Sequence, residues 1–148
     1  MAVLNQSQLQ QILRQAGWPA DLIPIMSAIG MAESSGRTTA VNNRPGREYS
    51  VGLWQINLLA HREYTAAQMQ DPLQNARAAL AIYRREGLTA WGSYTDGRYR
   101  SYLMDAQTAA ATPAASSIIP DSLITPDNAK IYIALAIGAL LALKILRD

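Results

Sequence analysis

The sequence predicts a mainly α-helical domain over residues 1–104, then a linker over 105–125, then one apolar helix over 126–148. Three observations carry this reading. Segments with helical apolar spacing, each bounded by capping residues or glycine, fill the first hundred residues. Ala, Thr, Ser and Pro then dominate, with Pro113 and Pro120. From Ile131 to Leu143 thirteen residues follow without a charge. A chain of 148 residues has room for one domain with a real core, not two.

The elements follow in chain order. Ser7 with Gln10 reads as a capping box, Leu9, Ile12 and Leu13 as an apolar stripe, and Gly17 as a left-handed stop. A second helix spans about Ala20 to Glu33, with Pro24 tolerated only in its first turn. Met26, Ile29, Gly30 and Glu33 share one of its faces, and Gly36 ends it. Residues 37–50 are dense in turn formers, notably Asn42-Asn43-Arg44-Pro45-Gly46, and read as loop. Ser50 to Leu58 reads as a short strand or irregular turn. Thr65 caps a short helix through Met69. Asp71-Pro72, with Gln74 in third place, starts a helix that Gly87 ends, with Leu73, Ala76, Leu80 and Tyr83 as its core stripe. Thr89 to Gly97 reads as an aromatic loop, and a last helix runs from Arg98 to about Met104.

Composition excludes several chemistries. There is no cysteine, so disulfides, thiolate catalysis and Cys-based metal sites are out. His61 is the only histidine, which leaves neither a metal site nor a cofactor to expect and makes a surface role the better reading. Eleven of the 13 basic residues are Arg, and none before Lys130 is Lys. This suits an anionic partner, although Arg also serves simply to solvate helix faces. No basic run interleaved with aromatics points to nucleic acid.

Glu33, in Ala32-Glu33-Ser34-Ser35-Gly36, is the candidate catalyst. It lies in the last turn of an apolar helix, where the helix dipole and apolar neighbours both favour the neutral acid. Glu48, Glu63 and Asp96 fall in loops or near turns, so a chemistry needing one carboxylate fits better than a two-carboxylate hydrolysis. In Gly52-Leu53-Trp54-Gln55-Ile56-Asn57, Gln55 and Asn57 offer amides. Trp54, Trp91 and Tyr94 offer flat faces for sugar rings, with core packing an equal claim on the tryptophans. Ser34 either bonds a carboxylate or caps the helix end.

Taken in order, Glu33-Ser34-Ser35, Ala40-Val41-Asn42, Gly52 to Asn57 and the Asp71-Pro72-led helix with Asn75-Ala76 resemble the signature blocks of the soluble lytic transglycosylases. The likeness covers about residues 7–103. It implies a lysozyme-like fold and peptidoglycan glycan strands as substrate. It further implies cleavage of the β-1,4 bond from N-acetylmuramic acid to N-acetylglucosamine, a 1,6-anhydro product, and Glu33 as sole acid and base. Gln55 would line the groove. Two departures stand out. Trp54 replaces the usual Met. Ala90-Trp91-Gly92-Ser93-Tyr94 takes the place of an Ala-Tyr-Asn block, so that Tyr94, ahead of Trp91, is expected to touch Glu33. The Trp variant resembles phage and conjugation-type members, some of which hydrolyse as a lysozyme does.

The 126–148 segment starts at Thr125-Pro126-Asp127, and its apolar stretch of sixteen residues spans about 24 Å at 1.5 Å per residue. Lys130, Lys144 and Arg147 can snorkel from its ends. A single membrane span, or a helix packed on other virion proteins, is expected. Met1 to Gln6 lacks the pattern of a secretory signal peptide. Together these features suggest a phage virion protein that opens the cell wall locally during genome entry; the alternatives are a lysozyme-type muramidase acting in late lysis and an inactive virion protein that only binds glycan. Oligomers within a particle are compatible with this.

Overall fold

A computed structural model of the protein describes residues 2–111. The remainder of the expected linker and the 126–148 helix lie outside the described residues.

The first helix, α1, is Gln6–Gln15. Its capping box sits two residues earlier than the sequence suggests. Asn5 Oδ1 accepts the Gln8 N–H and Gln8 Oε1 accepts the Asn5 N–H, both at 3.0 Å. Asn caps as well as Ser, and Gln10 is needed elsewhere: it is fully buried and donates to the carbonyl of Ala106 at 2.7 Å. Gly17, at φ +85°, ends α1 as expected. The second helix is shorter than its signal. Ala20–Leu22 form a 3₁₀ turn, and α2 is Ile23–Ser34.

Between Arg37 and Ser50, where a loop is expected, the chain instead folds into an antiparallel hairpin. Its strands are β1, Val41–Arg44, and β2, Glu48–Val51, and β3, Ile56–Asn57, pairs with the other edge of β2. The strands were hidden because β1 is largely solvent-exposed and carries no apolar alternation; main-chain bonds make the sheet. The short helix α3, Ala66–Gln70, has the expected Thr65 cap. Helix α4, Pro72–Glu86, has its Asp71 cap, whose Oδ1 accepts the Gln74 N–H at 2.8 Å. Ala76 and Leu80 are core, as expected, but Leu73 and Tyr83 are only partly covered, and Asn75 and Ile82 are buried in their place. Within the expected aromatic loop lie a 3₁₀ turn, Leu88–Ala90, and a short helix α5, Gly92–Thr95. The last helix, α6, is Arg100–Ala111, so residues 105–111, read as linker, are helical. Ala-rich sequence sustains helix without an apolar stripe, and Ala106 is buried against the rest of the domain.

The core gathers around α2, with Leu9 and Leu13 of α1, Met26 and Ile29 of α2, and Leu53, Trp54, Met69, Ile82 and Trp91. Two polar joints fix the parts that carry the site. Asn75 is completely buried. Its Nδ2 donates to Val51 O at 3.0 Å and Met69 O at 2.9 Å, and its Oδ1 accepts the Trp54 N–H at 2.9 Å. Gly52 makes this approach possible: at φ +85°, a Cβ there would lie 2.0 Å from Met69 O. The second joint is Trp54, whose Nε1 donates to Met26 O at 2.9 Å. Gly30 leaves room for that ring; an added Cβ would stand 3.1 Å from Trp54 Nε1.

Candidate active site

The end of α2, the three-stranded sheet and the 90–98 segment enclose a cleft of about 670 Å³. Glu33 reaches it from α2, Glu48 and Ser50 from β2, Asn57 from β3, and Gln55 from the turn between those strands. Trp91 and Arg98 reach it from the third side.

Backbone geometry sets Glu33 at the mouth of its helix. Ser35 at φ 53° and Gly36 at φ 74° are left-handed in succession, and they stop α2 at Ser34, one residue after Glu33. The N-terminal segment locks this turn: Leu4 N–H donates to Gly36 O at 2.8 Å and Thr38 N–H to Ala2 O at 3.1 Å. The half-buried Glu33 carboxyl accepts the Ser93 N–H at Oε1, 3.0 Å away. Its Oε2 has no partner among the described residues. The hydrogen-bond partner of Glu33 is thus a main-chain amide, not the side chain of Tyr94 or Trp91. Tyr94 does not line the cleft; it stacks on Tyr99 with centroids 5.1 Å apart.

Two further expectations change. Ser34 is buried, does not line the cleft, and spends its hydroxyl proton on Gly30 O at 2.8 Å as a helix back-bond. Trp54 is wholly core and offers no face to a sugar. Trp91 is nearly as buried, yet borders the cleft while its Nε1 donates to Trp54 O at 3.0 Å.

Gln55 and Asn57 line the cleft with opposite polarity. Gln55, left-handed at φ 46°, uses Nε2 to donate to Ala40 O and Gly52 O at 3.2 and 3.0 Å. Asn57 uses Oδ1 to accept the Tyr49 and Leu59 N–H groups at 3.2 and 3.1 Å. Gln55 is left with an acceptor and Asn57 with a donor. An acetamido group, with one N–H and one C=O, matches such a pair.

Of the three carboxylates that the sequence sets aside as lying in loops or near turns, Glu48 is the one that joins Glu33. Glu48 lies on a strand, not in a loop, and lines the same cleft as Glu33. Ser50 Oγ donates to Glu48 Oε1 at 2.8 Å, and Arg44 Nε lies 3.8 Å from Oε2. The strand itself was the missing signal. Asp96 has a different task. It accepts the Arg98 N–H at 2.9 Å and faces Arg98 Nε at 2.7 Å. The Arg98 main-chain and side-chain donors hold the Asp96 carboxyl below its usual range. Arg98 in turn is raised by Asp96 first, and to a smaller degree by the negative charge of Glu33. Glu63 is outside the cleft, 3.8 Å from His61 Nδ1 and 3.9 Å from Arg85. Among the described residues no three His, Cys, Asp or Glu side chains gather as a metal site.

Residues 10–93 match a family described as a lysozyme-like domain. The chain belongs to this lysozyme-like family. No curated protein matches it. The matched span begins within α1 and ends at Ser93, the residue whose amide holds Glu33. It therefore contains every wall of the cleft except Arg98. Membership supports a peptidoglycan-cleaving enzyme whose substrate is the glycan strand, on a mainly helical lysozyme-like fold.

Proposed function

We propose that the domain is a lytic transglycosylase that cleaves the β-1,4 bond between N-acetylmuramic acid and N-acetylglucosamine, with Glu33 as acid and then base. The observation that carries this reading is the Glu33 carboxyl in the cleft, fixed through Oε1 by Ser93 and open at Oε2. Glu33 in its neutral form protonates the glycosidic oxygen as the bond to the anomeric carbon breaks. The 6-hydroxyl oxygen then bonds to that carbon and its proton passes to the Glu33 carboxylate, which restores the acid and closes a 1,6-anhydro ring. Gln55 and Asn57 suit an acetamido group nearby, and Trp91 gives the cleft one apolar border. The test is mass spectrometry of digested cell walls. Anhydro products from the native chain, and none from Glu33→Gln, support the reading; undiminished digestion by Glu33→Gln overturns it.

A second reading, hydrolysis as by a muramidase, is favoured by one observation: Glu48 shares the cleft with Glu33. There Glu48 takes a proton from water as the water oxygen bonds to the anomeric carbon, and Glu33 protonates the leaving oxygen. The product is a reducing sugar. The 126–148 sequence supports a place of action at a membrane or inside a virion, from which the domain opens the wall. Among the described residues no helix is long and apolar enough to cross a membrane. Flotation of the full chain with liposomes, and its presence in purified particles, test these two parts.

A further inference from the structure

Three arginines, Arg37, Arg44 and Arg98, line the cleft, against two carboxylates. Two of them are engaged: Arg98 with Asp96 at 2.7 Å, and Arg44 with Glu48 at 3.8 Å. Arg37 is not. Its exposed side chain has no hydrogen bond and no ion pair among the described residues. Its backbone, by contrast, is held on both sides. The Arg37 N–H donates to Ser34 O at 3.1 Å, and Arg37 pairs with Val3 in an antiparallel bridge. The flanking Gly36 and Thr38 are bonded to Leu4 and Ala2. Gly36 has no alternative, because a Cβ there would lie 2.1 Å from Leu4 O.

A guanidinium on a fixed stretch of backbone, four positions after Glu33 and without an internal anion, is arranged to meet an anion from outside. The planar fork fits a carboxylate through two hydrogen bonds. We propose that Arg37 binds a carboxylate of the glycan strand, so that the cleft selects carboxylate-bearing strands over neutral N-acetylglucosamine polymers. This deepens the peptidoglycan reading and rests on it. Two groups supply that chemistry: the lactyl carboxylate of muramic acid where its peptide is absent, and the carboxylates of an attached stem peptide.

The test is direct binding by titration calorimetry, with the full chain carrying Glu33→Gln so that ligands stay intact. Three ligands are compared: strands bearing stem peptides, strands stripped by an amidase, and N-acetylglucosamine hexamer. The hexamer is expected to bind more weakly than either strand. Adding Arg37→Ala is expected to weaken strand binding about tenfold or more, as loss of a charge-assisted pair does, and to leave the hexamer unaffected. Arg37→Lys should recover part of the loss. A loss confined to peptide-bearing strands assigns the stem peptide; a loss on stripped strands assigns the lactyl group. Equal affinity for hexamer and strands, or an equal loss on all three ligands, overturns the proposal. Because the readout is binding, it stands apart from the catalytic test: persistent strand cleavage by the Glu33→Gln chain would mark failure of the Glu33 reading instead.

Discussion

The main-chain N–H of Ser93 donates to Glu33 Oε1 at 3.0 Å, and so ties the end of α2 to the start of α5. The bond uses the backbone of Ser93, while its hydroxyl is buried without a partner among the described residues. Backbone and side chain can therefore be separated by mutation. Ser93→Ala keeps the N–H and removes an unpaired hydroxyl, so wall digestion should persist and the melting temperature should stay level or rise. Ser93→Pro removes the donor at a first-turn position that accepts proline. Digestion should fall about a hundredfold with the circular dichroism spectrum retained.

Glu48 decides between two products. If the transglycosylase reading holds, Glu48→Gln leaves anhydro sugars as the main product at a rate close to the native chain. If water is the acceptor, Glu48→Gln should lower the rate by about 10² or more, and native digestion in ¹⁸O-water should label the reducing ends. Mass spectrometry of the same digests reads both.

Asn75 joins α4 to the turn that carries Gln55. Asn75→Ala leaves the Trp54 N–H and the Val51 and Met69 carbonyls without their partner in a sealed site. A loss of about 3 kcal/mol is expected from orphaning such groups. Urea unfolding, with its midpoint lowered at an unchanged slope, checks this.

The Asp96–Arg98 pair predicts an acid limb. The folded Asp96 carboxyl is lowered from its ordinary value of 3.8. Its contribution is therefore present above that value and is lost as pH falls through the lower folded one. Arg98 is raised, so its share is present throughout the neutral range and fails only in strong alkali. NMR titration of the Asp96 carboxyl should give a midpoint below 3.8. Asp96→Asn should erase that acid dependence, and should leave Arg98 loose at the cleft rim.

Local signals were legible wherever a short stretch of sequence determines the geometry. Asp71-Pro72, the Thr65 cap and the Gly17 stop each satisfy main-chain groups within a few residues. Glu33 at the end of an apolar helix was legible for the same reason. What was not legible depends on partners distant in the chain. The β1–β2 hairpin has strands of polar residues around Pro45-Gly46, and only the pairing of Val41 with Val51 and Arg44 with Glu48 shows that they are strands. Without those strands Glu48 reads as a loop residue, and a one-carboxylate site follows. Asn75 lies off the apolar stripe of its helix, and its buried role depends on Gly52 being brought against it. Ser34 and Trp54 carry groups suited to binding, but their own helix and core use them first.

The gap at Gly30 has a consequence for how such sequences change over time. Trp54 cannot retreat: its ring is bonded to Met26 O, and its carbonyl holds Trp91. Gly30→Ala gains about 1 kcal/mol of helix propensity, but overpacking a pinned core residue costs about 1–3 kcal/mol. Positions 30 and 54 should accordingly covary. A lineage that keeps Trp at 54 is held to glycine at 30, whereas one that carries the slimmer, flexible Met admits alanine there.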